Sequence, residues 1–219
     1  MNRIPTSFAV IGACAAAAAL TVGCSTAPSS AELDAQAQAM VKASFRDQGI
    51  AKVDRLNQDL AQSACSIDGA PSEAVANQVM AQALATVRWP AGGQYIGDWR
   101  EGEKLAQNGR GMTWTDASDK PAANGAQCYN CHQIDQKEIS FGTIGPSLYH
   151  YGRNRGVANP ADPAAATAVQ YTWGKLNNSW AYNACSNMPR FGHKRLLNET
   201  QLKHLMALLL DPASPVNAQ

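Results

Sequence analysis

The residues best equipped for chemistry stand together at Cys128-Tyr129-Asn130-Cys131-His132. Two thiols three positions apart leave the same side of a helical turn, and the histidine that follows falls beside them. In that pattern two sulfurs can add across neighbouring vinyl groups of one porphyrin while the imidazole reaches the iron from one face. C-x-x-C-H therefore reads as covalent attachment of a c-type haem. A thioredoxin-type redox pair would need a βαβ setting, and a zinc site would need a second Cys/His pair at comparable spacing. The chain offers neither. One such motif predicts one haem c, bound covalently by Cys128 and Cys131 and ligated by His132.

The sixth ligand must come from elsewhere, and the candidates are Met112, Met188, Met206, His150, His193 and the thiolate of Cys185. Met206 lies on an apolar helical stripe and reads as core filler. Met112 is close in sequence to the attachment site, which makes the opposite face of the ring hard to reach. Met188 precedes Pro189, which biases it toward an extended backbone, and it is far enough downstream to wrap round the ring edge. Met188 is thus favoured, with His193 next and Cys185 third. Imidazole plus thioether ligation raises the reduction potential, as an electron acceptor requires. Between these segments runs Gly142-Thr143-Ile144-Gly145-Pro146-Ser147-Leu148. Its glycines allow close backbone approach, and the Pro146 carbonyl can orient His132 through its ring N–H. An ordinary turn is the plainer alternative.

Stepping outward, the elements that hold these residues read as helices. Asp98-Trp99-Arg100-Glu101 has the form of a capping box and should open a helix running to Asn108-Gly109. Asn198 to Gln201 is another cap, leading into Leu202, Leu205, Met206 and Leu209, with Pro212 closing the helix. Further upstream, residues 31–89 read helical with a break at Gly49. Within them Ser72 caps a helix carrying Val75, Val79, Ala83 and Val87 and ended by Pro90. Residues 28–37 read as a polar tether, and the stretch 90–97, with three glycines, as a linker. No alternating strand run is convincing. The expected fold is all-α: a class I-like cytochrome c domain over 90–219 behind a tether and N-terminal helical extension over 28–89.

Residues 1–27 read as an export signal, with Arg3 the single charge and an apolar run from Phe8 to Val22. The run ends Leu20-Thr21-Val22-Gly23-Cys24, a lipobox-like sequence that makes Cys24 a lipidation candidate, although Thr21 stands where an aliphatic residue is usual. A rival cut after Ala27 would leave Pro28 next to the scissile bond. The implied destination is the periplasm, with a lipid anchor as the single link to the membrane. Beyond the signal no apolar run is long enough to span a bilayer. A net charge of +1, with 16% charged residues, speaks against a nucleic-acid partner. Outside the signal and the motif, Cys65 and Cys185 are left over. In an oxidising compartment an even remainder predicts a disulfide, against free buried thiols.

Together with the pentapeptide and Gly142–Leu148, two further segments carry a resemblance. They are Tyr182-Asn183-Ala184-Cys185-Ser186-Asn187-Met188-Pro189-Arg190-Phe191-Gly192-His193 and Asp211-Pro212-Ala213-Ser214-Pro215-Val216-Asn217. Over roughly residues 45–217, including the Arg55 to Cys65 portion, the chain resembles SoxX, the monohaem cytochrome subunit of the SoxAX complex of sulfur-oxidising bacteria. The resemblance implies His132 and Met188 as axial ligands. It also implies membership of a heterodimer with a SoxA-like cytochrome, acting as a periplasmic L-cysteine S-thiosulfotransferase. That enzyme oxidatively couples thiosulfate to a cysteine of a SoxYZ-like carrier, and its electrons go on to a downstream cytochrome c. Joining two sulfurs releases two electrons, whereas one haem iron takes one at a time. With both axial positions filled, substrate finds no open site. The sulfur chemistry is therefore expected on the SoxA-like partner, and this chain, with no catalytic residue of its own, accepts and relays electrons. A free-standing periplasmic electron carrier is the alternative, against which the N-terminal helical block weighs. One departure from the wider cytochrome c pattern is Ala106, preceded by Leu105, where an aromatic usually stands at the helix crossing. Tyr149, Tyr151, Arg153, Arg155 and Trp173 are candidates to line the haem or an interface.

Overall fold

A computed structural model of the chain describes residues 27–138 and 141–218. Cys24 and all but the last residue of the expected export signal lie outside the described residues. Those that are described form helices joined by turns, with no strand beyond an isolated bridge between Gln48 and Ala51. The fold is all-α. Among the described residues no helix is long and apolar enough to cross a membrane. The chain divides between Phe45 and Arg46 into two units.

Among the described residues the first unit contains one helix, α1 (Ser30–Ser44), none of whose residues is buried. It starts inside the expected tether. The Ser29 hydroxyl accepts from the Glu32 N–H, and the Glu32 carboxylate accepts from the Ser29 N–H at 2.7 Å, so a serine that suggests a linker is in fact a cap. The alanine-rich sequence behind it then propagates a helix.

The second unit holds α2 (Leu60–Ala64), α3 (Glu73–Ala85), α4 (Trp99–Gln107), α5 (Ala166–Asn177) and α6 (Glu199–Leu210). Ser72 caps α3 as expected, accepting from Val75 N–H, and Val79 and Ala83 turn inward. The break expected at Gly49 is present, with φ +51°, and it is wider than expected: between α1 and α2 the chain has only a short 3-10 turn at Val53–Leu56. The cap of α4 is half of the expected box. Asp98 accepts from Arg100 N–H at 2.8 Å, but Glu101 pairs with Lys104 one turn on instead of reaching back. The α6 box is complete, with Asn198 and Gln201 bonded reciprocally at 2.9 Å.

α6 is the spine of the core. Leu205, Met206, Leu208 and Leu210 are each no more than 1% exposed, so Met206 is core filler as its position on the stripe suggested. Against this helix crosses α4. The crossing needs Gly102, because a Cβ there would strike the carbonyl of His204 and lie 3.0 Å from Leu208 Cβ. Ala106, 1% exposed, is the small residue that lets α4 settle where an aromatic was usual. Residues 211–217 then fold back. Asn217 accepts from Gly152 and Arg153 N–H and donates to Leu209 and Asp211 carbonyls, which ties the tail, the end of α6 and the 148–157 segment together.

α5 was not expected. It has no side-chain cap, and its alanine-rich entry looks irregular, yet Val169, Thr172, Trp173 and Leu176 recur at i, i+3, i+4 and i+7 and are all buried. Trp173 donates to the Arg88 carbonyl at 2.7 Å and meets Tyr95 edge-on. Asn178, just past α5, donates to Ala83 and Thr86. The helical segment before Trp89 is thereby bonded directly to α5.

Gly102→Val is expected to cost about 1–3 kcal/mol by overpacking the α4–α6 crossing. A lowered midpoint in thermal unfolding followed by circular dichroism checks it.

Candidate cofactor site

A cavity of about 600 Å³ opens between α5, α6 and the irregular segments. That volume is in the range of cofactor pockets. Its apolar wall comes from Leu205, Leu208 and Leu209 of α6, Leu176 of α5, and Ile134, Leu148 and Phe191. Cys128, Cys131, His132 and Met188 all reach the same lining.

The motif is placed by backbone bonds to α4. Ala126 N–H donates to Leu105 and Gln127 N–H to Asn108, and Gln127 takes φ +51° to turn the chain. A 3-10 turn at Cys128–Asn130 follows, in which the N–H groups of Cys131 and His132 both donate to the Cys128 carbonyl. The turn gives the two thiols the shared side that their spacing predicted. Neither thiol is in a disulfide. Burial pushes the Cys128 thiol up to about 12.

Gly142 to Leu148 is clamped onto this turn. Gly142 N–H donates to Tyr129, Gly145 to Cys131 and Leu148 to Gln133. A side chain at Gly145 would run into the His132 imidazole. The Pro146 carbonyl lies 2.6 Å from His132 Nδ1. A carbonyl only accepts, so Nδ1 carries the proton, and in the neutral ring the lone pair is then on Nε2. Pro146 thus orients His132, as the sequence suggested.

Met188 is held from both sides. Its carbonyl accepts from Ser179 Oγ at 2.6 Å, and its N–H donates to Ser186 Oγ at 3.2 Å. Trp180 donates to the Ser186 carbonyl, and the Arg190 guanidinium lies 3.8 Å over the Trp180 ring. Cys185 is bonded to Cys65, with 5.5 Å between the Cα atoms, so the predicted disulfide is present and anchors the Met188 loop to the end of α2. The bond also removes Cys185 as a thiolate ligand. His150 and His193 are not on the lining, whereas Met112 is. His193 has its basicity lowered by burial, then by Arg190, Lys194 and Arg88. The cavity lining keeps two thioethers, those of Met188 and Met112.

Tyr151 and Arg155 line the cavity; Trp173 lies in the core, and Tyr149 stacks on His150. Tyr171, Thr172 and Lys175 also line it and were missed along with α5, whose i, i+3, i+4, i+7 pattern was the available signal. Among the described residues no three His, Cys, Asp or Glu side chains converge to hold a metal ion by themselves. Two free thiols on one turn, an imidazole with its Nε2 lone pair available, a thioether and a wide apolar wall do fit a haem, which brings its own equatorial ligands.

No family model matches the chain. A protein of Aquifex aeolicus (strain VF5) named "Uncharacterized lipoprotein" is 36% identical to it over 162 residues, covering 73% of this chain and 73% of that protein.

Two outcomes are expected of the haem-free chain. With a thiol this weakly acidic, alkylation of Cys128 in the folded protein should be very slow at pH 8, where roughly one part in 10,000 is thiolate, and should rise about tenfold per pH unit. Peptide mass mapping after timed labelling reads it. In the denatured, unreduced chain the same labelling should leave Cys65 and Cys185 unmodified, and react with them once a reductant is added.

Proposed function

The chain belongs to the family of the Aquifex aeolicus lipoprotein, and from there we propose that it is an exported monohaem c-type cytochrome. Residues 90–219, within its second unit, are read as a class I-like cytochrome c domain and Cys24 as the lipid-anchored residue. The observation that carries this reading is the convergence of Cys128, Cys131, His132 and Met188 on one cavity. The name of the relative and the lipobox-like sequence before Cys24 support export to the periplasm and a lipid anchor.

The haem supplies one-electron redox chemistry when bound. The chain's own residues do the rest. Cys128 and Cys131 would tether the group, and His132, whose protonated Nδ1 is bonded to Pro146, would offer it Nε2. Met188 would hold the group from the second side, its backbone fixed by Ser179 and Ser186 and its loop by the disulfide. The α6 leucines on the lining would give the bound group an apolar surround, which favours the less charged, reduced state.

At finer grain the chain is read as a SoxX-like subunit. It would partner a SoxA-like cytochrome in an L-cysteine S-thiosulfotransferase and relay electrons from thiosulfate coupling on a SoxYZ-like carrier to a downstream cytochrome c. The Tyr182–His193 and Asp211–Asn217 segments support that reading. Among the described residues, no free thiol is left on the lining once Cys128 and Cys131 are bonded, since Cys185 is already paired with Cys65.

Produced with cytochrome c maturation machinery, the chain should be red and heavier by one haem. Cys128→Ser with Cys131→Ser should be colourless, Met188→Ala should change the visible spectrum, and Met112→Ala should leave it unchanged. A colourless parent refutes the cytochrome reading. From its native host the protein should co-purify with a second haem polypeptide; isolation as a lone chain would instead make it a free-standing carrier.

A further inference from the structure

The cavity lining carries two cationic side chains, Arg155 and Lys175, and no Asp or Glu. Among the described residues neither cation forms an ion pair with a carboxylate; the pairs present lie elsewhere, at Lys52, Arg100, Lys104 and Lys203. The two cations stand on one continuous wall. The Arg155 guanidinium lies 3.6 Å over the Tyr151 ring and donates to the Tyr151 carbonyl. The Tyr151 hydroxyl is 3.0 Å from Thr172 Oγ1 on α5. Lys175 follows Thr172 by three residues, on the same helix face. Its ammonium donates to the Ser179 carbonyl at 3.3 Å, and burial lowers its pKa with no acid nearby to restore it.

A half-buried cation without a counterion is costly, and the partial charge at the end of α5 offsets only part of that cost. Lys175 in that state, with the exposed Arg155 guanidinium on the same wall of an acid-free cavity, calls for a ligand that brings two negative charges of its own. A haem does so, through its two propionate carboxylates. We propose that Arg155 and Lys175 form the carboxylate-binding edge of the cofactor site, an assignment that rests on the haem reading above. The pair has a consequence for the potential. Reduction removes one positive charge at the iron, so neighbouring cations favour the reduced form.

The test uses the holoprotein, and its readouts are haem stoichiometry, visible spectrum and midpoint potential. Lys175→Met and Arg155→Gln should keep the spectrum of the parent, since axial ligation is untouched. Each should shift the reduction equilibrium roughly threefold toward the oxidised form, about 28 mV at 59 mV per tenfold. Lys175→Arg should match the parent. Lys52→Gln, which removes an exposed charge paired with Asp47, should not shift it. Loss of haem from Lys175→Met with retention by Lys175→Arg supports the same charge requirement. Haem-loaded variants whose potentials equal those of the parent, or of Lys52→Gln, overturn the assignment and leave the cytochrome reading standing. A colourless parent overturns both.

Discussion

A prolyl carbonyl has no proton to give, so the 2.6 Å contact between Pro146 and His132 Nδ1 settles the tautomer of the imidazole and its direction at once. The candidate site depends on that constraint. If the Nδ1 proton were absent, Nε2 would not be left as the free base, and a histidine beside two thiols would have no reason to present its lone pair to the cavity. The constraint is assembled from backbone. Gly142, Gly145 and Leu148 donate to Tyr129, Cys131 and Gln133, and the absence of a side chain at Gly145 lets the loop lie against the ring.

The opposite requirement, a fixed thioether, is met by different means. Met188 sits in a stretch without regular structure, where the chain has few bonds of its own to make. Side chains provide them: Ser179, itself fully buried, and Ser186 hold the Met188 peptide groups, and the Cys65–Cys185 bond ties the loop to the N-terminal part of the second unit. This gives the segment before Trp89 a structural part in the proposed haem site, since it carries the disulfide partner and bonds to α5 through Ala83, Thr86 and Arg88.

Local signals were the readable ones. Ser72 and the Asn198–Gln201 pair cap helices because their partners lie three residues away. The same rule was half right at Asp98, where Glu101 had a competing partner in Lys104, and it missed α1, whose cap at Ser29 sat in tether-like sequence. α5 escaped because no side chain caps it, and with it went Tyr171, Thr172 and Lys175, three of the residues that line the cavity. Met206 was legible as core from periodicity alone; Met112 was not legible as a lining residue, because its distance from the cavity is set by the turn at Gln127 and the glycine-rich backbone before it.

What the sequence determined by itself was the chemistry carried within a few residues: the C-x-x-C-H spacing, the Gly-Pro loop that follows it, the stripe of α6, and an all-α chain with one leftover pair of cysteines. Those features rest on covalent spacing and on i to i+4 neighbours, which a linear chain displays directly. Only the tertiary structure decided that Met188 shares a cavity with the motif while His193 does not, that Cys185 is occupied by Cys65, and that Arg155 and Lys175 face an acid-free space together. A cavity is made by residues remote in sequence, and which of them meet depends on how α4, α5 and α6 cross, not on any short run of letters.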